Sequence, residues 1–175
     1  MTSNKTKRII FIIVLLVVSI AFDQFTKLWV RGHMDYYRHY AYLHQHVMFE
    51  RVYNTGAFLS LGDSLSGPLR YILLNILPLI AIVFGLYYVL TRADLNKITT
   101  VSIVLIIAGG LGNLYDRVMV GAVTDFMQLD LFLFNTGIFN VADMFIMAGT
   151  IAIILHAWFK KKTEDGETKS QVETE

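Results

Sequence analysis

The chain has 175 residues, of which 55% are hydrophobic and 17% are charged, with a formal net charge of +1 at pH 7. A soluble domain is typically about 45–50% apolar, so this composition, with a mean hydropathy of +0.53, indicates an integral membrane protein. The near-zero net charge argues against a nucleic-acid binder, which usually carries a large basic excess. Because cysteine is absent, disulfides, thiol redox chemistry and a cysteine nucleophile are excluded.

The first predicted element is an apolar helix over residues 9–30, which follows a short basic N-terminus. A stretch of this length can cross a bilayer core of about 30 Å. A secretory signal peptide is the alternative, because Ser19 and Ala21 resemble a small-residue cleavage site. The helical pattern continues past them to Trp29, a residue typical of the membrane interface, and therefore favours a membrane span.

Residues 31–70 are predicted to form an extracytoplasmic segment at the membrane surface, because they combine tyrosines with basic side chains. Within this segment, Val47 to Tyr53 is rich in β-formers and predicts a short strand. Three further spans follow, at residues 71–91, 98–115 and 138–159. Pro78 should loosen the second of them locally. The prediction is a single four-span domain, residues 1–159, with a polar tail at 160–175 that is expected to be disordered.

Lysine and arginine near the span ends predict the orientation. They flank the N-terminal end of the first span, the loop between the second and third spans, and the end of the fourth: Lys5, Lys7, Arg8, Arg92, Lys97, Lys160, Lys161 and Lys162. Both termini are therefore predicted to be cytoplasmic.

Several carboxylates lie near the opposite ends of the spans. With a helical rise of about 1.5 Å per residue, Asp23, Asp116 and Asp143 lie roughly 22–28 Å from the basic ends of their spans. Asp125 follows in a short connection that can return to the same level. Ionisable groups at membrane depth are costly, and they indicate a functional site by default. The sequence thus predicts a site near the outer leaflet.

Two carboxylates close together in a low-dielectric site cannot both ionise easily, so they can share a proton, as in aspartic proteases. Asp125 and Asp143 have no basic neighbour in the sequence and are preferred as such a pair. A structural ion pair is the alternative interpretation for two other acids, Asp23 with Lys27 and Asp116 with Arg117.

Other chemistries find less support in the sequence. It contains neither Gly-x-Ser-x-Gly nor His-Glu-x-x-His, the patterns of a serine hydrolase and a zinc peptidase. His44 and His46 fit solvated loop residues better than metal ligands, and His156 fits a packing or interfacial residue. The glycines of 109–112 indicate close helix packing, since no predicted strand precedes them as a phosphate loop requires. No metal and no other cofactor is predicted.

Five motifs resemble the signature blocks of bacterial lipoprotein signal peptidase, also called signal peptidase II, and they have the order and spacing of those blocks. The resemblance extends over residues 9–159. The motifs are Asp23-Gln24-x-Thr26-Lys27, Asn54-x-Gly56, Gly109-Gly110-x-Gly112-Asn113-x-x-Asp116-Arg117, Val123-x-Asp125-Phe126 and Phe139-Asn140-x-Ala142-Asp143.

The resemblance implies an intramembrane aspartic endopeptidase of the bacterial inner membrane, with Asp125 and Asp143 as the catalytic pair. It implies an all-α fold of four transmembrane helices, with a small extracytoplasmic β-cradle and a surface helix for which residues 31–67 are suited. The implied substrates are diacylglyceryl-modified prolipoproteins, cut just before the lipidated cysteine among membrane lipids, and the implied inhibitor is globomycin. The implied supporting residues are Asp23, Lys27, Asn54, Gly56, Asn113, Asp116, Arg117, Asn140 and Ala142.

Two hypotheses from other classes remain at this stage. A small transporter or ion channel would also carry intramembrane acids, and it predicts ion flux in proteoliposomes. A structural scaffold for other membrane proteins predicts that all the aspartates tolerate replacement by asparagine.

Overall fold

A computed structural model describes residues 2–36, 38–56, 66–132 and 134–172, without the side chains of 2, 3 and 164–172. Four helices in these ranges are long and apolar enough to cross a membrane. They are α1 (Thr2–His33), α2 (Gly67–Thr91), α3 (Lys97–Met119) and α4 (Val141–Val172). The predicted fold class, an all-α membrane protein of four transmembrane helices with a small sheet, is confirmed.

Several helix ends differ from the sequence-based bounds. The first helix begins at Thr2 rather than at residue 9, because the basic residues that precede the apolar run are good helix formers. The third span continues beyond residue 115 to Met119, and the fourth begins only at Val141. Its helical backbone then extends to Val172, into the tail for which disorder was predicted, where glutamate, lysine and glutamine also favour a helix.

The second helix contains the local loosening expected around its proline. Residues Ile72–Ile76 form a π-helical turn, and Pro78 lies at the start of the regular α-helical part, Leu77–Thr91. Proline has no N–H to donate to the preceding turn, so the backbone there can widen without the loss of a further bond.

A four-stranded antiparallel sheet covers one end of the helices, in the order β1-β2-β3-β4. The strands are β1 (His39–Tyr42), β2 (Val47–Asn54), β3 (Val123–Asp130) and β4 (Asn135–Phe139). The short strand predicted from Val47 is confirmed as β2, whereas the other three strands were missed. Ile138, predicted to begin the fourth span, instead lies in β4.

The predicted surface helix is not found among the described residues between His33 and Gly67, which form strands and turns. Residues 57–65, on which part of that prediction falls, lie outside the described ranges. The small sheet is therefore the part of the prediction for residues 31–67 that the structure supports.

Helix α3 is the centre of the bundle and packs along α4, α1 and α2. Ile12, Ile82 and Val104 belong to the apolar cluster between the helices. Large apolar side chains such as Phe84 also point outward, as expected where lipid replaces water. A second cluster, which includes Phe126, joins the helix ends to the sheet.

The two ends of the bundle differ in polarity. At the end remote from the sheet, Arg8 Nη2 donates to the Val89 carbonyl (2.8 Å), and Asn96 contacts His156 (2.8 Å). Across the described ranges, every buried acidic or basic residue lies at the sheet end: Asp23, Lys27, Asp116 and Asp125. The helix lengths predicted that these acidic residues lie at a similar depth in the bundle, and in the folded chain they lie together at the sheet end.

Gly109 lies where α3 approaches the first turn of α4 most closely. A Cβ atom added there would overlap the Ala142 carbonyl oxygen and lie 2.7 Å from Ile146 Cγ1. Because a backbone atom cannot move aside cheaply, Gly109→Ala is expected to destabilise the protein by about 1–3 kcal/mol. Thermal unfolding in a fixed detergent measures the change.

Gly32 provides the matched control, since it is also helical and an added Cβ atom would meet nothing within 4 Å. Gly32→Ala gains the same helix propensity without the steric overlap, so it should leave the stability equal to or slightly above the wild type. Equal melting temperatures for the two variants would contradict the close approach of α3 and α4.

Candidate active site

Asp125 and Asp143 come from different elements and are both held by Asn140. Asp125 lies in β3, and its side chain is 3% exposed. Asp143 lies in the first turn of α4 and is half-buried. Asn140 Nδ2 donates to Asp125 Oδ1 at 2.5 Å, while Asn140 Oδ1 accepts from the Asp143 amide at 3.0 Å. One asparagine therefore fixes the two carboxylates relative to each other.

The start of α4 explains how Asp143 is oriented. The Asn140 amide donates back to Asp143 Oδ2 at 3.1 Å, so the two residues form a reciprocal cap at the helix N-terminus. This cap leaves Asp143 Oδ1 to accept from Asn113 Nδ2 at 2.8 Å. The same interactions that begin the helix thus place a carboxylate at the site.

Asn54 and Gly56 bring the end of β2 to the same site. Asn54 Nδ2 donates to Asp125 Oδ2 at 2.9 Å, and Asn54 Oδ1 accepts from the Gly56 amide at 2.9 Å. Arg117 Nη2 donates to the Gly56 carbonyl at 3.0 Å. Both oxygens of Asp125 therefore accept amide hydrogens, and the turn that carries Gly56 is tied to α3.

Asn113 connects the two acids to the charges behind them. Its Oδ1 accepts from Lys27 Nζ at 2.9 Å and from Asn140 Nδ2 at 3.2 Å. Because both donors approach the oxygen, the amide nitrogen must face Asp143. The orientation of Asn113 is thereby set by its partners.

A buried cluster of charges lies behind Asn113. Lys27 Nζ is 2.9 Å from Asp23 Oδ2 and 3.9 Å from Asp116 Oδ2, and the side chains of all three are fully buried. The predicted Asp23–Lys27 ion pair is thus confirmed. Asp23 Oδ1 also accepts from the Ala142 amide at 2.9 Å, which anchors α1 to the first turn of α4.

The predicted ion pair between Asp116 and Arg117 is wrong. Consecutive residues of a helix point in different directions, and Arg117 donates to Gly56 instead. Asp116 pairs with Arg31, whose Nη1 lies 3.3 Å from Asp116 Oδ2. Sequence reasoning missed Arg31, although its spacing of four residues from Lys27 places it on the same face of α1.

Burial affects the protonation of Asp125. Removal of its carboxylate from water raises its pKa, the Asn54 hydrogen bond opposes this, and the nearby charge of Asp143 raises it further, to about 6. A catalytic acid or base is most effective when its pKa lies near the working pH. Asp125 therefore has the protonation behaviour that a proton-sharing pair requires.

An apolar groove of about 570 Å³ opens beside Asp143. Its walls come from α2, α4 and the sheet, and include Leu74, Phe139 and Met147. Asp143 lines the groove together with four other polar residues, Asn113, Arg117, Thr136 and Thr150. A long apolar ligand placed in this groove would lie directly against a carboxylate.

The histidines considered as metal ligands lie elsewhere. His46 Nδ1 contacts the Asp130 carbonyl oxygen (2.7 Å), and its ring packs against Phe132 at the far end of the sheet. His44 is exposed in the β1–β2 turn. Among the described residues, no group of three or more histidine, aspartate or glutamate side chains is arranged to hold a metal ion.

Every residue predicted for the site belongs to this one network of contacts. The network joins residues from three helices and two strands: Asp23, Lys27, Asn54, Gly56, Asn113, Asp116, Arg117, Asp125, Asn140, Ala142 and Asp143. Glycines allow this convergence, since a Cβ atom on Gly112 would collide with the Asp23 carboxylate.

Comparisons with known proteins agree with this arrangement. Residues 13–159 match the family described as Signal peptidase (SPase) II. The lipoprotein signal peptidase of Aquifex aeolicus is 40% identical over 113 residues, which cover 65% of this chain and 66% of that protein. The lipoprotein signal peptidase of Psychromonas ingrahamii is 32% identical over 148 residues, 84% of each chain.

A solved structure described as a bacterial membrane enzyme, obtained by the in meso method at 2.3 Å resolution, has the same fold. It superposes with a TM-score of 0.76 and 30% sequence identity, and covers 88% of this chain and 90% of that chain. Since the family match spans nearly all of the four-helix bundle and its sheet, this multi-pass membrane protein belongs to the signal peptidase II family of peptidases.

Proposed function

We propose that this chain is an intramembrane aspartic endopeptidase of the bacterial cytoplasmic membrane. It removes the signal peptide from diacylglyceryl-modified prolipoproteins by cutting just before the lipidated cysteine. The observation that carries the proposal is the attachment of Asp125 and Asp143 to a single asparagine, Asn140, beside an apolar groove. Membership of the signal peptidase II family supplies the substrate class.

The reaction divides acid and base roles between the two carboxylates. The ionised member of the pair takes a proton from the attacking water, while the protonated member donates to the carbonyl oxygen of the scissile bond. When the tetrahedral intermediate breaks down, the proton taken from water passes to the leaving amine, and the proton on the former carbonyl oxygen returns to the pair. Because burial raises the pKa of Asp125 to about 6, this carboxyl keeps its proton to a higher pH than an ordinary aspartate does.

The supporting residues hold the two acids in position relative to the bound substrate. Asn113 donates to Asp143 and Asn140 donates to Asp125, while Asn54 donates to Asp125 Oδ2. Arg117 lines the groove and holds the Gly56 carbonyl, where it can position the backbone of the bound peptide. Such positioning converts a slow bimolecular encounter into a step within one complex.

The groove suits a lipidated peptide whose signal helix remains in the bilayer. Its lining on α2 and α4, such as Leu73 and Ile151, is apolar, so acyl chains and apolar side chains can lie against it without loss of hydration. The basic residues at the ends of the spans support a cytoplasmic location for both termini. The sheet and the two acids then face the outer leaflet, where the cleavage site of an exported precursor emerges.

The decisive experiment is incubation of the purified protein with a diacylglyceryl-modified prolipoprotein, with and without globomycin. We expect a globomycin-sensitive decrease in substrate size, and mass spectrometry of the product should place its N-terminus at the lipidated cysteine. A precursor with serine in place of that cysteine cannot be lipidated and serves as the matched control. Absence of cleavage, or ion flux in proteoliposomes without cleavage, would overturn the proposal.

A further inference from the structure

We propose that Arg31 is a positioning residue for this peptidase reaction: through Asp116 and Thr124 it holds the strand segment that carries Asp125. The inference rests on the proposed function and concerns a residue outside the set predicted from sequence. Arg31 contacts neither acid of the pair, so its effect must pass through the backbone of β3. Three observations support this route.

The first observation is that β3 is only partly held by its neighbouring strands where Asp125 lies. Pairing with β4 begins at Met127, so the segment before it is paired with β2 alone. The Thr124 amide donates instead to Asp116 Oδ2 at 2.9 Å. A carboxylate of α3 thus takes the place of a further strand beside the residue that precedes Asp125.

The second observation is that Arg31 joins both members of this contact. Its Nη1 donates to Thr124 Oγ1 at 2.8 Å and to Asp116 Oδ2 at 3.3 Å. The three residues form a closed triangle between α1, α3 and β3, in which Thr124 contributes both its hydroxyl and its backbone amide. The Arg31 carbonyl in turn accepts from Arg51 Nη1 of β2 at 2.9 Å, so the backbone of Arg31 is itself held in place.

The third observation is the charge balance of the cluster. Asp23 and Asp116 contribute two negative charges, which Lys27 and Arg31 neutralise. Asp116 Oδ1 is buried without a hydrogen-bond partner, so Asp116 depends on the contacts of its other oxygen. Without Arg31, Asp116 Oδ2 would still accept from the Thr124 amide and would still lie 3.9 Å from Lys27 Nζ. The anchor of β3 would then carry an unbalanced buried charge.

These contacts reach the chemistry because adjacent strand residues are rigidly related. Thr124 and Asp125 point to opposite faces of β3, so Thr124 contacts Arg31 of the charge cluster while Asp125 contacts Asn54 and Asn140. A shift of Thr124 therefore displaces the Asp125 carboxylate relative to Asp143. A misplacement of about 1 Å at a reacting group can lower a rate by about 100-fold.

The test compares Arg31→Met, Arg31→Lys and Thr124→Val, singly and in combination, in the prolipoprotein assay. Titration of active sites with globomycin counts only folded enzyme. Arg31→Met should lower kcat per titrated site by about 10- to 100-fold with little change in KM. Arg31→Lys should show a smaller loss, since it keeps the charge but has a shorter side chain without the planar guanidinium.

The coupling between the two residues separates positioning from general destabilisation. Thr124→Val should lower kcat in the wild type but have a much smaller effect in Arg31→Met, because the two substitutions remove the same contact. Arg92→Met, an exposed arginine at the opposite end of the bundle, should leave kcat unchanged. If Arg31→Met does not fold, the cycle of Arg31→Lys with Thr124→Val makes the same comparison.

The outcomes distinguish this inference from the proposed function. A wild-type kcat in Arg31→Met, or strictly additive effects of the Arg31 and Thr124 substitutions, would overturn the positioning role alone. Failure of the wild-type protein to cleave the lipidated precursor would overturn the proposed function, and the positioning role with it.

Discussion

Asp125→Asn and Asp143→Asn should each reduce prolipoprotein cleavage by about 10³- to 10⁴-fold while the protein remains folded. An amide can neither accept the proton of the attacking water as a base nor deliver one to the scissile carbonyl. Since both acids act in one step, the double variant should be no slower than either single variant. Single-turnover cleavage of the lipidated precursor provides the measurement.

Asparagine has the shape of aspartate but changes the hydrogen bonding of the site. Both Asp125 oxygens accept amide hydrogens, from Asn54 and Asn140, so an amide nitrogen at this position must give up one of these bonds. Thermal unfolding of each variant should therefore accompany the kinetic measurement, to separate loss of chemistry from loss of fold.

Asp130→Asn is the matched control for these substitutions, because it lies on the same strand. Its Oδ1 accepts from the Phe132 amide at 3.0 Å, a bond that an asparagine oxygen can retain. This control should cleave at the wild-type rate. Retention of near-wild-type cleavage by Asp125→Asn or Asp143→Asn would remove that residue from the mechanism.

The sequence predicted the spans well because hydropathy and flanking charge are local properties. It missed β4 for a related reason. Strand β4 (Asn135–Phe139) ends next to the apolar start of α4, so the two elements form one continuous apolar run in the sequence. Asn140 and Asp143, spaced as a helix cap, were the local signal that could have separated them.

The site itself was predictable as a set of residues but not as a set of pairs. Asp23 and Lys27 are one helical turn apart, so their ion pair could be inferred from spacing. The partners of Arg31 lie 85 and 93 residues away in the chain, and no local pattern indicates them. Only the packing of α1 against α3 and β3 determines that Asp116 faces Arg31 rather than the adjacent Arg117.

Lys27 should be the supporting residue whose loss costs the most stability. Its side chain is fully buried and contacts two carboxylates and the Asn113 oxygen. Removal of one partner from a buried ion pair leaves an uncompensated charge and typically costs about 3–5 kcal/mol. Lys27→Met keeps the length of the side chain but removes its charge, so we expect a loss of unfolding free energy of about that size.

Two further variants test whether the missing charge of Lys27 causes this loss of stability. Lys27→Met combined with Asp23→Asn leaves Asp116 paired with Arg31 alone, so the cluster is neutral again and part of the stability should return. The excess over additivity measures the coupling between the two residues. Lys97→Met, at the exposed start of α3, removes a lysine without a buried partner and should leave the stability unchanged.

The same variants also test the connection from the charge cluster to the acids. Without Lys27, Asn113 Oδ1 retains only the Asn140 amide as a donor, and its amide is freer to turn away from Asp143. Cleavage by Lys27→Met should therefore fall even in the fraction of enzyme that remains folded, and the Asp23→Asn substitution should restore stability more than activity. If Lys27→Met were as stable as Lys97→Met, the buried charges could not be what holds α1 and α3 together behind the site.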